Sequence, residues 1–257
     1  MSLTKLVSAV AFAGVIAIFA FESYRAHDVT IVNVSRTAMF NVQEALQTFY
    51  SRHGRLPEAT TTKDGYPHSW RTQVENSLRK QYKDDTFATT EPWDSAANLS
   101  LAMRSYPHGG FDLVLRHRKD HGVGRTCFFV VTGKETAFPL CGSVSLQEIQ
   151  DGLENTVLVI EVSGSQFPWI QPIDIHFTEL KSLYDGKHEL SLGSHSRGTG
   201  LLFADMSRYF LVQLPSFDVF QSLFTRAGGE PWTREQLIEQ GFLVPMSAAP
   251  GKGAAPG

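Results

Sequence analysis

The residues with the clearest chemical potential in this chain are a histidine and an aspartate in its C-terminal third. Nine residues separate His195 from Asp205 in the string HSRGTGLLFAD. An imidazole and a carboxylate can together hold a metal ion or move a proton. The residues between them read as an extended strand, which would keep the two side chains apart. We therefore predict structural roles, with Asp205 in a turn and His195 hydrogen bonded to a neighbouring loop.

A second set of polar residues offers oxygen ligands for a cation. Asp151, Gly152, Glu154 and Asn155 follow one another closely, and hard oxygen ligands of this kind bind Ca²⁺. Their spacing does not match an EF-hand, so Ca²⁺ is a hypothesis here. We predict no metal and no other cofactor.

Large aromatic residues could bind sugars or bases by stacking. We expect instead that Trp70, Trp93 and Trp169 anchor the junction between helices and sheet, because large aromatic side chains are mostly buried in part.

Motifs of catalysis are sparse in this sequence. It contains no serine elbow, no H-E-x-x-H pair, no phosphate-binding glycine loop and no cluster of Cys and His ligands. We predict that the protein is not an enzyme. A hydrolase that uses His195 with Asp205 or Asp174 is a rival interpretation, and it requires a reactive Ser or Cys beside the histidine.

Composition and cysteines narrow the class of protein further. The chain has 257 residues, of which 42% are hydrophobic, and a formal charge of −3. The absence of a basic stripe argues against nucleic acid as a partner. Cys127 and Cys141 are spaced so that neighbouring strands could join them in a disulfide, and two buried free thiols are the alternative.

The N-terminus contains the most apolar segment of the chain. Residues Leu6 to Phe21 carry no charge, Lys5 precedes them and Glu22 follows. This pattern predicts one transmembrane helix within an anchor and linker at 1–29, with a cleaved signal peptide as the alternative. The positive leading side places the protein in the inner membrane with residues after 25 outside the cytoplasm.

The sequence after the anchor predicts an α+β domain at 30–245, with amphipathic helices packed on an antiparallel β-sheet. Residues 246–257 are predicted to form a disordered tail. Apolar spacing indicates helices at Val34–Arg52, Pro67–Tyr82 and Thr233–Gln240. Asn33 or Ser35 can cap the start of the first helix and Gly54 ends it, and Thr233 and Gln236 occupy the capping-box positions of the last. Strands are expected at Phe111–Arg118, Thr126–Thr132, Thr156–Ser163 and within Gly200–Leu214.

Several strings, taken in order, resemble one family. They are ALQTFYSRHGRLP from Ala45, YPHSWRTQ from Tyr66, EPWDSAAN from Glu91, DGLENTVLVIE from Asp151 and SHSRGTGLLFADMS from Ser194. Together they resemble the pseudopilin-like domain of unknown function numbered fifteen fifty-nine, known from its H-x9-DG signature in planctomycete-type bacteria. The residues that carry the resemblance are Trp70, Trp93, Asp94, Asp151, Gly152, Asn155, Glu161, His195 and Asp205.

The resemblance implies a membrane helix that leads into a pilin-like α+β domain, similar to the major pseudopilin of type II secretion and without catalysis. Its partners would be the membrane and other proteins of the envelope or the secretion apparatus. An extracytoplasmic module that binds a solute or glycan is the alternative, with a cleft formed by the tryptophan residues and the loops around Pro168 to Asp174. The chain lacks the acidic prepilin cleavage site of the family, so processing and filament assembly are not expected.

Met206 stands where the family signature has glycine. The hairpin turn at Asp205-Met206 favours a positive φ, which costs a residue with a Cβ about 1 to 2 kcal/mol. The sequence therefore predicts that Met206→Gly raises the stability of the fold.

Overall fold

The computed structural model of the protein describes residues 3–62, 64–104, 111, 123–193, 195–229 and 231–247. Within the helices, the side chains of 3–21, 24, 25, 27 and 104 lie outside this description. The helices are α1 (Leu3–His53), α2 (Trp70–Tyr82), α3 (Ala96–Arg104), α4 (Leu180–Tyr184), α5 (Phe217–Ser222) and α6 (Arg234–Glu239). The strands are β1 (Thr60–Thr61), β2 (His68–Ser69), β3 (Phe128–Phe129), β4 (Val131–Thr132), β5 (Val157–Glu161), β6 (Ile175–His176), β7 (Thr199–Phe203), β8 (Arg208–Leu211) and β9 (Leu243–Pro245).

The centre of the fold is a sheet of five strands in the order β3-β5-β7-β8-β9. All four neighbouring pairs in it are antiparallel. Two small pairs lie outside it, β1 with β2 antiparallel and β4 with β6 parallel. The predicted α+β class and antiparallel sheet are confirmed, whereas the predicted strand at Phe111–Arg118 lies outside the described residues except for Phe111.

Helices cover both faces of this sheet, which explains why its central strands are apolar throughout. Every residue of β5 and β7 is buried. On β7, Leu202 packs in the core shared with α1 and α2, while Leu201 and Phe203 pack in the core shared with α4, α5 and α6. Side chains of a strand alternate between faces, so apolar residues in succession fill two cores at once.

The helix α1 is longer than predicted. It contains 51 residues and passes without a break through Asn33 and Ser35, which the sequence proposed as N-caps. Its C-terminal half buries the apolar face predicted by the residue spacing, and Met39 is buried with it; the face comprises Ala38, Val42, Ala45, Leu46 and Phe49. Gly54, at φ 66°, ends it as expected, and its N–H donates to the Tyr50 carbonyl at 2.8 Å.

The predicted transmembrane helix is wrong. Across the residues that the structure describes, no helix combines the length and the apolar character that crossing a membrane requires. The prediction depended on the run from Leu6 to Phe21, which forms the N-terminal part of α1, and the side chains of that run are not described.

The C-terminal boundary also differs from the prediction. Met246, assigned to the tail, is 3% exposed and packs in the core, and its N–H donates to the Arg208 carbonyl at 3.0 Å. The domain therefore extends through this residue, and 248–257 lie outside the described residues. The predicted capping box at the last helix is confirmed, since Thr233 and Gln236 bond reciprocally at the start of α6.

On the outer side of each edge strand of the five-stranded sheet, some backbone groups that a further strand would bind are absent or already bonded. In β9, the Val212 N–H donates to the Phe242 carbonyl, so the alternating residues Leu243 and Pro245 point their backbone groups away from β8. Pro245 has no N–H to offer on that side. On the outer side of β3 lie the Phe128 carbonyl and, just after the strand, the Val130 N–H. The Arg71 side chain donates to the carbonyl, and the Asp174 carboxylate accepts from the N–H.

The tight turn between β7 and β8 confirms the positive φ predicted for Met206, which is 65°. Asp205 supports this turn, because its carboxylate accepts from the Ser207 N–H at 3.0 Å. The Met206 side chain packs in part against the core, so its removal would also lose contacts. The two effects of a glycine at this position therefore oppose each other.

A pair of variants separates these effects. Met206→Ala and Met206→Gly both remove the packing side chain, but only alanine keeps the cost of a Cβ at positive φ. We expect the glycine variant to be more stable than the alanine variant by about 1 kcal/mol, measured as the difference in free energy of unfolding in denaturant. Equal stabilities would show that the turn is not strained.

Candidate functional site

A buried polar cluster joins α1 to the central sheet. Ser35 on α1 donates its hydroxyl proton to Glu161 Oε2 on β5 at 2.6 Å. His195 Nε2 lies 3.2 Å from the Ser35 hydroxyl and 3.8 Å from Glu161 Oε2. The side chains of His195 and Glu161 are 0% and 2% exposed. The structure thus brings together two of the residues that carry the family resemblance, through a serine that the sequence singled out only as a possible N-cap.

The hydrogen bonds of this cluster set the direction of its protons. The Arg197 N–H donates to His195 Nδ1 at 3.1 Å, so the neutral ring carries its proton on Nε2 and donates to Ser35. Ser35 in turn donates to Glu161. A nucleophilic serine needs the opposite order, in which the imidazole accepts the serine proton. The arrangement therefore works as a chain of bonds between elements.

Close packing holds the Glu161 carboxylate in place. A Cβ built on Gly200 of β7 would lie 2.5 Å from Glu161 Oε2 and 2.9 Å from Met246 Cε. Glycine at this position therefore leaves the room that the carboxylate occupies. The ring of Phe210 covers the other side of the cluster, edge to face with His195 at 5.0 Å between centroids.

The loop that carries His195 contacts α1 a second time, at Asp28, two helical turns before Ser35. Ser196 donates both its hydroxyl and its N–H to the carboxylate of Asp28, the latter at 3.3 Å. His195 and Ser196 thus bind α1 at Ser35 and Asp28. The sequence predicts a bond from His195 to a neighbouring loop, whereas the side chain bonds to a helix distant in sequence.

Asp205 has a separate role from His195. It forms an ion pair with Arg234 at 2.7 Å, at the start of α6. The Arg234 N–H donates to Asn155 Oδ1 at 2.8 Å, so Asp205 and Asn155 meet at this arginine. His195 instead packs against α1, and no contact joins it to Asp205. The predicted place of Asp205 in a turn agrees with the structure.

The predicted calcium loop is held together by its own backbone. Both carboxylate oxygens of Asp151 accept from the N–H groups of Gly228 and Gly229, at 2.7 and 2.8 Å. Gly152 adopts φ 97°, which lets the loop turn back so that Asn155 Nδ2 donates to the Asp151 carbonyl. Within the described ranges, no three His, Cys, Asp or Glu side chains are grouped as a metal site requires.

A buried ion pair lies at the edge of the sheet, between α2 and the 168–174 loop. Arg71 and Asp174 are 3.0 Å apart and their side chains are 0% and 3% exposed. All five N–H groups of the guanidinium are used, by Asp174 and by the backbone carbonyls of Phe128, Trp169, Gln171 and Ile173. The pair thereby ties three segments of the chain together.

Asp174 accepts further hydrogen bonds from two directions. The Val130 N–H and Trp70 Nε1 donate to its Oδ1 at 3.0 and 3.1 Å. Burial raises the pKa of the Asp174 carboxyl, and the Arg71 guanidinium opposes this rise. Trp70 and Trp169 are 0% exposed, so neither ring offers a face to a ligand. The cleft that the ligand-binding interpretation expected between Pro168 and Asp174 is closed by the Arg71 side chain.

The remaining residues of the resemblance lie before α3. Trp93 is partly buried against the core and Asp94 is exposed in a turn. Asn98 is the buried polar residue there, and its amide donates to the carbonyls of Ala88 and Pro92. We infer that Trp93 and Asn98 hold the 88–98 segment in place.

The two cysteines are not joined by a disulfide in this structure. Cys127 is buried beside β3 and Cys141 is exposed. The structure therefore does not contain the disulfide that the sequence allowed.

Sequence reasoning missed the partners that give these residues their roles, namely Ser35, Arg71, Arg234 and Asn98. The signal that could have found Arg71 is an arginine in a helix one residue after a tryptophan that is expected to be buried. No local signal points to Ser35 or Arg234, because their partners are distant in sequence.

Comparisons with protein-family models, with curated proteins and with solved structures find no match. The resemblance to the pseudopilin-like family therefore stays a prediction from the residues that carry it.

Neutralising one partner of the buried ion pair should destabilise the fold strongly. In Asp174→Asn, an amide keeps one acceptor oxygen but leaves the Arg71 charge buried without a counter-charge. We expect the free energy of unfolding in denaturant to fall by about 3 to 5 kcal/mol.

The matched control is Asp185→Asn, which breaks a solvent-accessible pair with Lys181. Exposed pairs contribute little, so we expect a much smaller loss. Equal losses in the two variants would contradict a special role for the buried pair.

Proposed function

We propose that this protein is a non-catalytic, pseudopilin-like structural protein of the bacterial cell envelope that presents an α+β domain to partner proteins. The observation that carries the proposal is the form of α1. One half of this helix packs on an antiparallel sheet, and the helix continues beyond the domain that it stabilises.

The length of α1 allows one part of the helix to pack on the sheet and another part to contact other proteins. At 1.5 Å per residue, its 51 residues extend for about 76 Å, of which about 37 Å precede Asp28. The described side chains before Asp28, those of Glu22, Ser23 and Ala26, are exposed. At these three positions α1 therefore has surface that other proteins can contact.

The chemistry of the polar residues supports a structural role. His195 is buried and bonded on both ring nitrogens, Asp205 is paired with Arg234, and Asp151 is bonded to two backbone N–H groups. Each of these groups is engaged in holding one segment to another. Side chains that bind or transform a substrate need to reach it. His195 is turned inward, and the carboxylates of Asp205 and Asp151 are already bonded to Arg234 and to two backbone N–H groups.

The resemblance supplies the kind of partner, which is another protein of the envelope or of a secretion apparatus. On the exposed side of α1, Val29 and Phe40 are 56% and 44% exposed and lie eleven residues apart, which is close to three helical turns. Both therefore face the same direction, and they add apolar contact area to the helix surface.

Photocrosslinking tests this proposal with the full chain in its native host. A photoreactive amino acid replaces Ser23 or Ala26 on α1, and irradiated cells are analysed for adducts by mass spectrometry. We expect discrete adducts with envelope or secretion proteins from both positions, because both lie on the part of α1 that precedes its contacts with the domain.

The control places the same amino acid at Lys187 or Glu189, exposed positions after α4. These sites should give few adducts or different ones. The proposal fails if the α1 positions yield no adduct, or if they yield the same adducts as the control positions.

A further inference from the structure

Two different surfaces join α1 to the rest of the domain. The first is apolar and lies in the C-terminal half of the helix, from Ala38 to Phe49, where the buried residues belong to the main core. The second lies nearer the N-terminus, from Asp28 to Ser35, and most of its contacts are polar. We call this second surface the polar seam and define it by Asp28, Ser35, Glu161, His195 and Ser196.

The polar seam has less apolar support than the Ala38–Phe49 surface. On α1, Val32 packs in the core at 6% exposure, while Val29 is 56% exposed. The polar attachments of this stretch are the bonds from Ser35 to Glu161, from His195 to Ser35, and from Ser196 to Asp28. They end next to Arg36, whose carbonyl accepts one further bond from Arg208.

The energetics of such a seam differ from those of an apolar core. When the seam opens, the Glu161 carboxylate and the His195 ring regain the water that burial removed, which offsets much of the cost of breaking their bonds. Opening the apolar surface would return nothing comparable, because its side chains gain no hydrogen bonds in water. Regions with few apolar contacts open at lower free energy than the core.

We infer that the polar seam is a joint, at which the Asp28–Ser35 stretch of α1 separates from the sheet while the Ala38–Phe49 stretch stays packed. The joint would let the N-terminal part of α1 change its direction relative to the domain. Its use in binding partners rests on the proposed function, but its existence does not.

Distances between two spin labels test the joint in the full chain. The labels are attached at Val29→Cys on α1 and Lys187→Cys on the domain, with Cys141→Ser to remove the exposed native thiol and buried Cys127 retained. In Ser35→Ala, which removes the bonds of Ser35 to Glu161 and to His195, we expect a second distance population that grows by roughly fivefold to thirtyfold over the parent chain, as the loss of one to two net hydrogen bonds implies.

Two further variants complete the test. Ser196→Ala removes a bond at the exposed edge of the seam and should shift the populations in the same direction, even if Ser35→Ala disturbs folding. Thr37→Ala is the matched control, because the Thr37 hydroxyl donates within α1 to the Asn33 carbonyl and takes no part in the seam. It should leave the distances unchanged.

A single unchanged distance in both seam variants would overturn the inference, and so would an equal response in Thr37→Ala. Since the measurement needs no partner protein, its outcome is independent of the crosslinking experiment. Failure of the joint and failure of the proposed function are thus told apart.

Discussion

The buried pair of Arg71 and Asp174 is the interaction on which the arrangement of the other elements depends. It sits where a sixth strand would pair with β3, and it binds the Phe128 carbonyl and the Val130 N–H that such a strand would have bound. Removing two charges from water is costly, and the cost is recovered only when every remaining donor finds a partner. All five donors of the guanidinium are used, whereas Asp174 Oδ2 is buried without a hydrogen-bond partner, so the condition is met on the arginine side of the pair. Because three of the four carbonyls that Arg71 binds come from the 168–174 loop, the same interaction fixes that loop and the start of α2.

With the β3 edge of the sheet fixed in this way, α1 packs across one face of the sheet. The apolar half of the helix is held by the area that it buries, as in any helix packed on a sheet. The polar half is held by specific bonds that require Glu161, His195 and Ser35 to be in register. A mismatch of one residue would move Ser35 by about 100° around the helix and leave the carboxylate buried without its donor. The polar cluster thus specifies the register of the helix more than it adds to stability.

Much of this architecture could be predicted from local patterns. The spacing of Ala38, Val42 and Phe49 gave the buried face of α1, and the reciprocal bonds of Thr233 and Gln236 gave the start of α6. The positive φ of Met206 followed from the type of turn that joins β7 to β8. The sequence does not show that α1 runs without a break, because Ser35 is a good N-cap by residue type. In the structure its hydroxyl instead donates to a carboxylate 126 residues away. The partners of Arg71 and of Asp205 were hidden for the same reason.

The closure of both outer strands has a consequence for how copies of this chain can associate. A strand from another molecule needs a row of free backbone donors and acceptors to add to a sheet. At β3 those groups are already taken by Arg71 and Asp174, and at β9 Pro245 removes one of the donors. Growth of a continuous intermolecular sheet is therefore disfavoured on either side. Among the described residues, contacts between helices or loops are therefore the favoured way to build an oligomer.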